Sequence, residues 1–188
     1  MNRIEIVPYC PEWPHRFADL GGAIRAALGE GVGAIHHIGS TAVPGLGAKD
    51  VIDVQVTVAD LDAPIDAPLL ALGYEGTAIV GDHLPPGTTV APEELAKRYF
   101  RLDAPRVHLH VRAEGRFNTR YALLCRDYLR AHPLAASAYD EIKRELALRF
   151  PLDADAYYAV KDPVFDLLMV GAEGWARTTG WTIPPGDA

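Results

Sequence analysis

The run from His36 to Asp53 constrains this chain more than any other stretch. Ala34 to Ile38 reads as a strand. Gly39-Ser40 opens a Gly- and Pro-containing loop that extends to Lys49. Val51 to Val58, rich in Val and Ile, is the most strand-like segment in the chain and carries Asp53 near its start. This order has a chemical logic. Glycine lets backbone approach a phosphate closely, and a serine hydroxyl with adjacent N–H groups can donate to it. A carboxylate on the following strand can then hold a divalent cation over that phosphate. Ser40 and Asp53 are therefore the candidate catalytic residues, with Gly39, Ser40 and Lys49 as candidate phosphate ligands. A turn of small residues beside a strand-edge acid is the plainer alternative.

The rest of the chain reads as one α+β domain spanning residues 1–188. Arg3 to Val7 alternates like a first strand. A helix is expected from Pro11-Glu12-Trp13-Pro14 to Leu28, ending at Gly29, with Phe17, Leu20, Ile24 and Leu28 on its core face. A short helix near Ile65 to Leu72 and a strand near Tyr74 to Val80 precede a loop from Gly81 to Glu94. Lys97–Leu102 and Arg106–Arg112 form a hairpin. Helices follow over Arg116–Ala131, from Pro133 to about Phe150, and along a stripe through Val160, Val164, Leu167, Leu168, Gly171 and Trp175. Residues 183–188 are expected to fray. The pattern predicts a mixed sheet of five or six strands, flanking helices and a helical C-terminal half.

Charge excludes one class of partner. The 25 acidic residues exceed the 18 basic ones, for a net charge of −7, which disfavours general nucleic-acid binding. No stretch approaches the roughly 20 apolar residues of a membrane span. The two cysteines, Cys10 and Cys125, sit in no Cys-x-x-Cys motif and read as reduced thiols of a cytoplasmic protein.

Several longer motifs resemble the GrpB (UPF0157) family. They are His37-Ile38-Gly39-Ser40-Thr41-Ala42-Val43-Pro44-Gly45-Leu46 with Lys49 and Val51-Ile52-Asp53, the opening Val7-Pro8-Tyr9-Cys10-Pro11-Glu12-Trp13-Pro14, Arg98-Tyr99-Phe100-Arg101, His108-Leu109-His110-Val111, and Arg126-Asp127-Tyr128-Leu129-Arg130-Ala131-His132-Pro133. Tyr139, Lys143, Leu146, Phe150, Tyr157 and Lys161 continue the match. The resemblance covers about residues 3 to 175. It implies a nucleotidyltransferase-like fold of the DNA polymerase beta type. It also implies a domain that occurs fused to some bacterial dephospho-coenzyme A kinases. It supplies no reaction.

One departure from that superfold stands out. Nucleotidyltransferases of this type carry a second acid two residues after the first, on the same strand face. Here that position is Gln55, a weaker ligand for a hard cation. His108 and His110 also share a strand face, and with Asp53 they could bind Mg²⁺, Mn²⁺ or Zn²⁺. They could equally donate to phosphate or act as acid and base. Arg112 stands where a histidine-triad hydrolase has another histidine. His37 is preferred over His36 as a substrate ligand. Arg98 and Arg101 are both candidates, but on a straight strand they face opposite ways, and Arg101 is preferred. Lys143 is a helix-borne candidate for an anionic ligand.

Three functions fit. The first is a metal-assisted nucleotidyltransferase-like protein acting on a nucleotide or other phosphorylated small molecule. The second is a non-catalytic ligand-binding or protein-interaction module on the same fold. The third is a metal-dependent phosphohydrolase using His108 and His110.

Overall fold

The computed structural model describes residues 3–188. Five strands form one mixed sheet in the order β1-β2-β5-β4-β3. They are β1 (Val32–Ile38), β2 (Ile52–Val58), β3 (Glu75–Gly76), β4 (Lys97–Leu102) and β5 (Val107–Ala113). β1 runs antiparallel to β2, β2 parallel to β5, and β4 antiparallel to β5 and β3. The helices are α1 (Trp13–Leu28), α2 (Asp66–Ala71), α3 (Phe117–Ala131), α4 (Pro133–Arg149) and α5 (Ala154–Thr179). The α+β class and the mixed sheet are as expected.

Alternation along β2 divides the sheet into two faces. Ile52, Val54, Val56 and Val58 join Val107, Leu109 and Val111 in a core against Trp13, Phe17 and Ile24 of α1 and Leu69 of α2. Each large side chain fully buried there contributes about 1.5–3 kcal/mol. Asp53, Gln55 and Thr57 point to the opposite face, towards the helical half. That half has its own core, where Val43 and Leu46 of the Gly/Pro loop meet Leu124, Tyr139, Met169 and Ala172. The loop thus bridges the two cores, which holds the Gly-Ser turn rigidly between them.

Four expectations are corrected. Arg3–Val7 makes no strand: it forms a single bridge, Val7 with Ala48, because Pro8 has no N–H to continue the ladder. The predicted strand 74–80 shrinks to Glu75–Gly76, at a sheet edge where Val80 is left 72 % exposed. The closing residues 183–188 do not fray. Asp187 N–H donates to Ile35 O at 2.8 Å, and the Asp187 carboxylate accepts from His37 N–H at 2.9 Å and from Arg126 at 2.7 Å. The segment covers the outer edge of β1, which would otherwise present unpaired backbone groups. The last helix also begins earlier than its apolar stripe suggests. The Asp153 carboxylate caps it by accepting from Ala156 N–H at 2.9 Å, and it runs through Pro163.

Candidate functional site

Register assembles the site. Ile38 pairs with Asp53, Asp53 with His108, and His108 with Arg101, so one row of residues crosses four strands. The next row holds His36, Gln55, His110 and Tyr99. A cleft of about 520 Å³ lies over these rows. Its walls include Gly39 and Ser40, residues of α3 and α5, and the segment around Asp82.

Gly39 is required at its position. Its φ is +72°, and a Cβ there would collide with the Asp53 carboxylate. The turn therefore sits directly on the acid. Ser40 lines the cleft, and behind it Lys143 of α4 places Nζ 3.1 Å from Ser40 Oγ while donating to Gly47 O. Lys143 is only 2 % exposed, and burial lowers its pKa to about 7. It supports the turn from beneath rather than facing a ligand. Lys49 donates to the hydroxyl of Tyr158, a cleft-wall residue, with its ammonium 4.7 Å from that ring's centroid.

At the floor, His108 Nδ1 lies 3.2 Å from Asp53 Oδ1, and His110 Nε2 lies 4.0 Å from the same oxygen. Burial acts to raise the Asp53 pKa, but the His108 hydrogen bond with the nearby His110 and Lys49 outweighs it, and the pKa is lowered. Asp53 is a carboxylate, so His108 Nδ1 carries the proton and donates. His110 is wired the opposite way. Its Nδ1 faces Lys97 Nζ and an Arg112 N–H, each at 3.4 Å, so Nδ1 accepts and Nε2 holds the proton. Burial first, then Arg112 and Lys97, push its pKa well down and keep the ring neutral.

Those two cations belong to a buried network that sequence reasoning missed. Asp82 accepts from Lys97 Nζ at 2.6 Å, from Arg112 Nε at 2.8 Å and from Asn118 Nδ2 at 3.0 Å. Arg112 also donates to Gln55 Oε1 at 2.5 Å, and Gln55 Nε2 donates to Thr119 O at 3.3 Å. Strand alternation could have placed Lys97 and Tyr99 beside Arg101, and Arg112 beside His110. Asp82 lies in a loop without periodicity and left no signal.

The donor set does not suit the expected divalent metal. Gln55, where the second acid would stand, spends its carbonyl on a guanidinium. His110 offers no lone pair, since one ring nitrogen accepts from cations and the other bears the proton. Among the described residues no three His, Cys, Asp or Glu side chains converge as a metal-binding group.

Two candidate ligands also fall away. His37 points to the α1 face, stacked on Phe17 with ring centroids 4.7 Å apart, and its Nε2 pairs with Thr41 Oγ1 at 3.0 Å. Alternation puts His36 on the cleft face, but Pro184 O of the closing segment takes its Nε2 at 3.1 Å. Arg98 turns from the cleft to donate to Ala63 O at 2.7 Å and to pair with Asp66. Arg101 lines the cleft over the Tyr99 ring, with no carboxylate partner among the described residues.

Comparison with known proteins agrees with this architecture. The model of the GrpB protein family matches residues 3–170. The chain is 36 % identical to a dephospho-CoA kinase of Mycolicibacterium paratuberculosis over 199 aligned positions, covering 95 % of this chain and 48 % of the relative. It is 40 % identical to a UPF0157 protein of Pseudomonas aeruginosa, covering 87 % of this chain and 65 % of that protein. The chain thus spans about half to two-thirds of the length of these relatives. The crystal structure of the conserved protein GrpB from Enterococcus faecalis superposes with a TM-score of 0.72 at 27 % identity, over 91 % of this chain and 99 % of that one. With the family model covering the sheet, the Gly-Ser turn and most of the helical half, the chain belongs to the GrpB family.

Proposed function

We propose that the cleft binds a nucleotide or a related phosphorylated small molecule, on a nucleotidyltransferase-like fold and without a two-metal centre. The observation that carries this is the cross-strand row from the Gly39–Ser40 turn to Arg101, open along its length to one cleft. Its volume is within the range of small-ligand pockets. β1 and β4 are three strand spacings apart, roughly 14 Å. A ligand that meets Ser40 at one end and Arg101 at the other must carry anionic groups well separated along its length, as nucleotides and coenzyme A do. Tyr99 and Tyr158 offer ring faces between them.

The dephospho-CoA kinase among the relatives makes coenzyme A a natural probe beside the nucleoside triphosphates. A non-catalytic module is the second reading, favoured by Gln55 being committed to Arg112 where a second acid would serve catalysis.

A thermal-shift panel of ATP, GTP, CTP, UTP and coenzyme A in EDTA tests the proposal. A native-state ligand at about 100 times its Kd adds roughly 2.7 kcal/mol of stability. At least one probe is expected to raise Tm. Arg101→Ala should weaken that probe about 10- to 100-fold, the worth of one charged hydrogen bond, and Arg98→Ala should leave it unchanged. No shift with any probe refutes the reading.

A further inference from the structure

The two histidines of the His-x-His pair are held in opposite tautomers, and this separates their chemistry. His110 presents only an N–H towards Asp53, because Lys97 and Arg112 occupy its other nitrogen. His108 is reversed. Its Nδ1–H is spent on Asp53, so in the neutral ring Nε2 is the nitrogen with the lone pair, and it has no protein partner among the described residues. The His108 side chain is 26 % exposed and lines the cleft. Tyr99 holds the ring from the side, with centroids 5.7 Å apart. A carboxylate that fixes an imidazole tautomer from behind, with the far nitrogen open to a ligand cleft, is the arrangement of a general base. The pair also lies midway along the row between Ser40 and Arg101, where the central bonds of a ligand spanning that row would lie.

We infer that His108 Nε2 is the general base of a metal-independent hydrolysis of phosphoanhydride-containing ligands, with Asp53 as its positioning residue. A water molecule gives a proton to His108 Nε2 as its oxygen attacks phosphorus. A new O–P bond forms and the bridging P–O bond breaks. The electron pair of that bond leaves with the departing phosphate, and His108 returns the proton to solvent. The inference rests on the cleft binding a phosphorylated ligand.

The test separates binding from turnover. ATP, GTP, CTP, UTP and coenzyme A are incubated with the full chain in EDTA, and the products (phosphate or pyrophosphate from the triphosphates, the pair of phosphomonoesters from coenzyme A) are separated chromatographically beside calorimetric affinity. The parent is expected to cleave at least one probe. His108→Gln and Asp53→Asn should each slow cleavage roughly 10²-fold or more while binding that probe as the parent does. Retained affinity shows that the variants are folded, and a fall in kcat without a change in affinity separates a role in the chemical step from a structural one. A parent that binds a probe and cleaves none overturns the general-base assignment and leaves the binding reading standing. His108→Gln at the parental rate overturns it as well. A parent that binds no probe overturns the binding reading and this inference with it.

Discussion

Removing the Asp82 carboxylate should be among the most damaging single changes in the protein. The side chains of Lys97 and Arg112 are 8 % and 6 % exposed, and Asp82 is the carboxylate both of them contact. In Asp82→Ala, two cations would face each other across a cavity with little water to screen them. Breaking a buried ion pair from one side costs about 3–5 kcal/mol. That is a large share of the roughly 5–15 kcal/mol that holds a typical domain together. For a chain of this length it corresponds to a fall in Tm of roughly 6–20 °C. Thermal melts followed by circular dichroism, with urea titrations at neutral pH, would measure it. Asp82→Ala/Lys97→Met should recover part of the loss, because the second change removes one stranded charge. The parent should also lose this contribution in acid. Burial acts to raise the Asp82 pKa, but Arg112 and Lys97 overcome it and hold the carboxyl far below the usual carboxylate range. A carboxyl depressed by folding stabilises above its unfolded pKa, near 4, and that stabilisation fades as pH falls further. An Asp82→Ala protein that melts within about 2 °C of the parent would refute the reasoning, since the network would then contribute almost nothing.

Other perturbations follow from the same geometry. Lys143 has a pKa of about 7 in the folded protein against an ordinary 10.5, so the unfolded chain binds more protons between those values. Stability should therefore rise with pH above 7, by up to about 1.4 kcal/mol per unit, and urea titrations should show that slope vanish in Lys143→Met. Gly39→Ala should destabilise by roughly 1–3 kcal/mol from the strained backbone, and the shift of the Ser40 turn forced by the clash with Asp53 should appear as lost affinity for whichever probe binds the parent. Asp187→Ala removes the acceptor for His37 N–H and for one Arg126 N–H, and should cost about 1–3 kcal/mol by chemical denaturation. If Asp187→Ala has no effect, the closing segment does not seal the β1 edge.

What the sequence makes legible is periodic, and what it hides is not. Two-residue alternation places His108 with His110, and Asp53 with Gln55, on common strand faces. It also separates Arg98 from Arg101. The same rule puts His36 and His37 on opposite faces, but it cannot say which face is the cleft, and neither ring is free to serve it. Pairing of β2 with β5, which brings Asp53 to His108, is a tertiary fact with no local trace. Asp82 works from a loop, and its meaning depends on cations 15 and 30 residues away. Residues 183–188 dock through backbone groups and one carboxylate rather than an apolar stripe, so hydropathy gives no sign of them. The site departs from a metal centre for a reason invisible in residue identity alone: His110 is a competent ligand until Lys97 and Arg112 claim its free nitrogen.

The most direct test of this account is calorimetric titration of the metal-stripped protein with the best probe, once in EDTA and once with Mg²⁺. A cleft that meets phosphate with its own side chains predicts saturable binding in EDTA, weakened by Arg101→Ala. Binding that needs added Mg²⁺, and is lost in Asp53→Asn, would contradict it and restore a metal to the site.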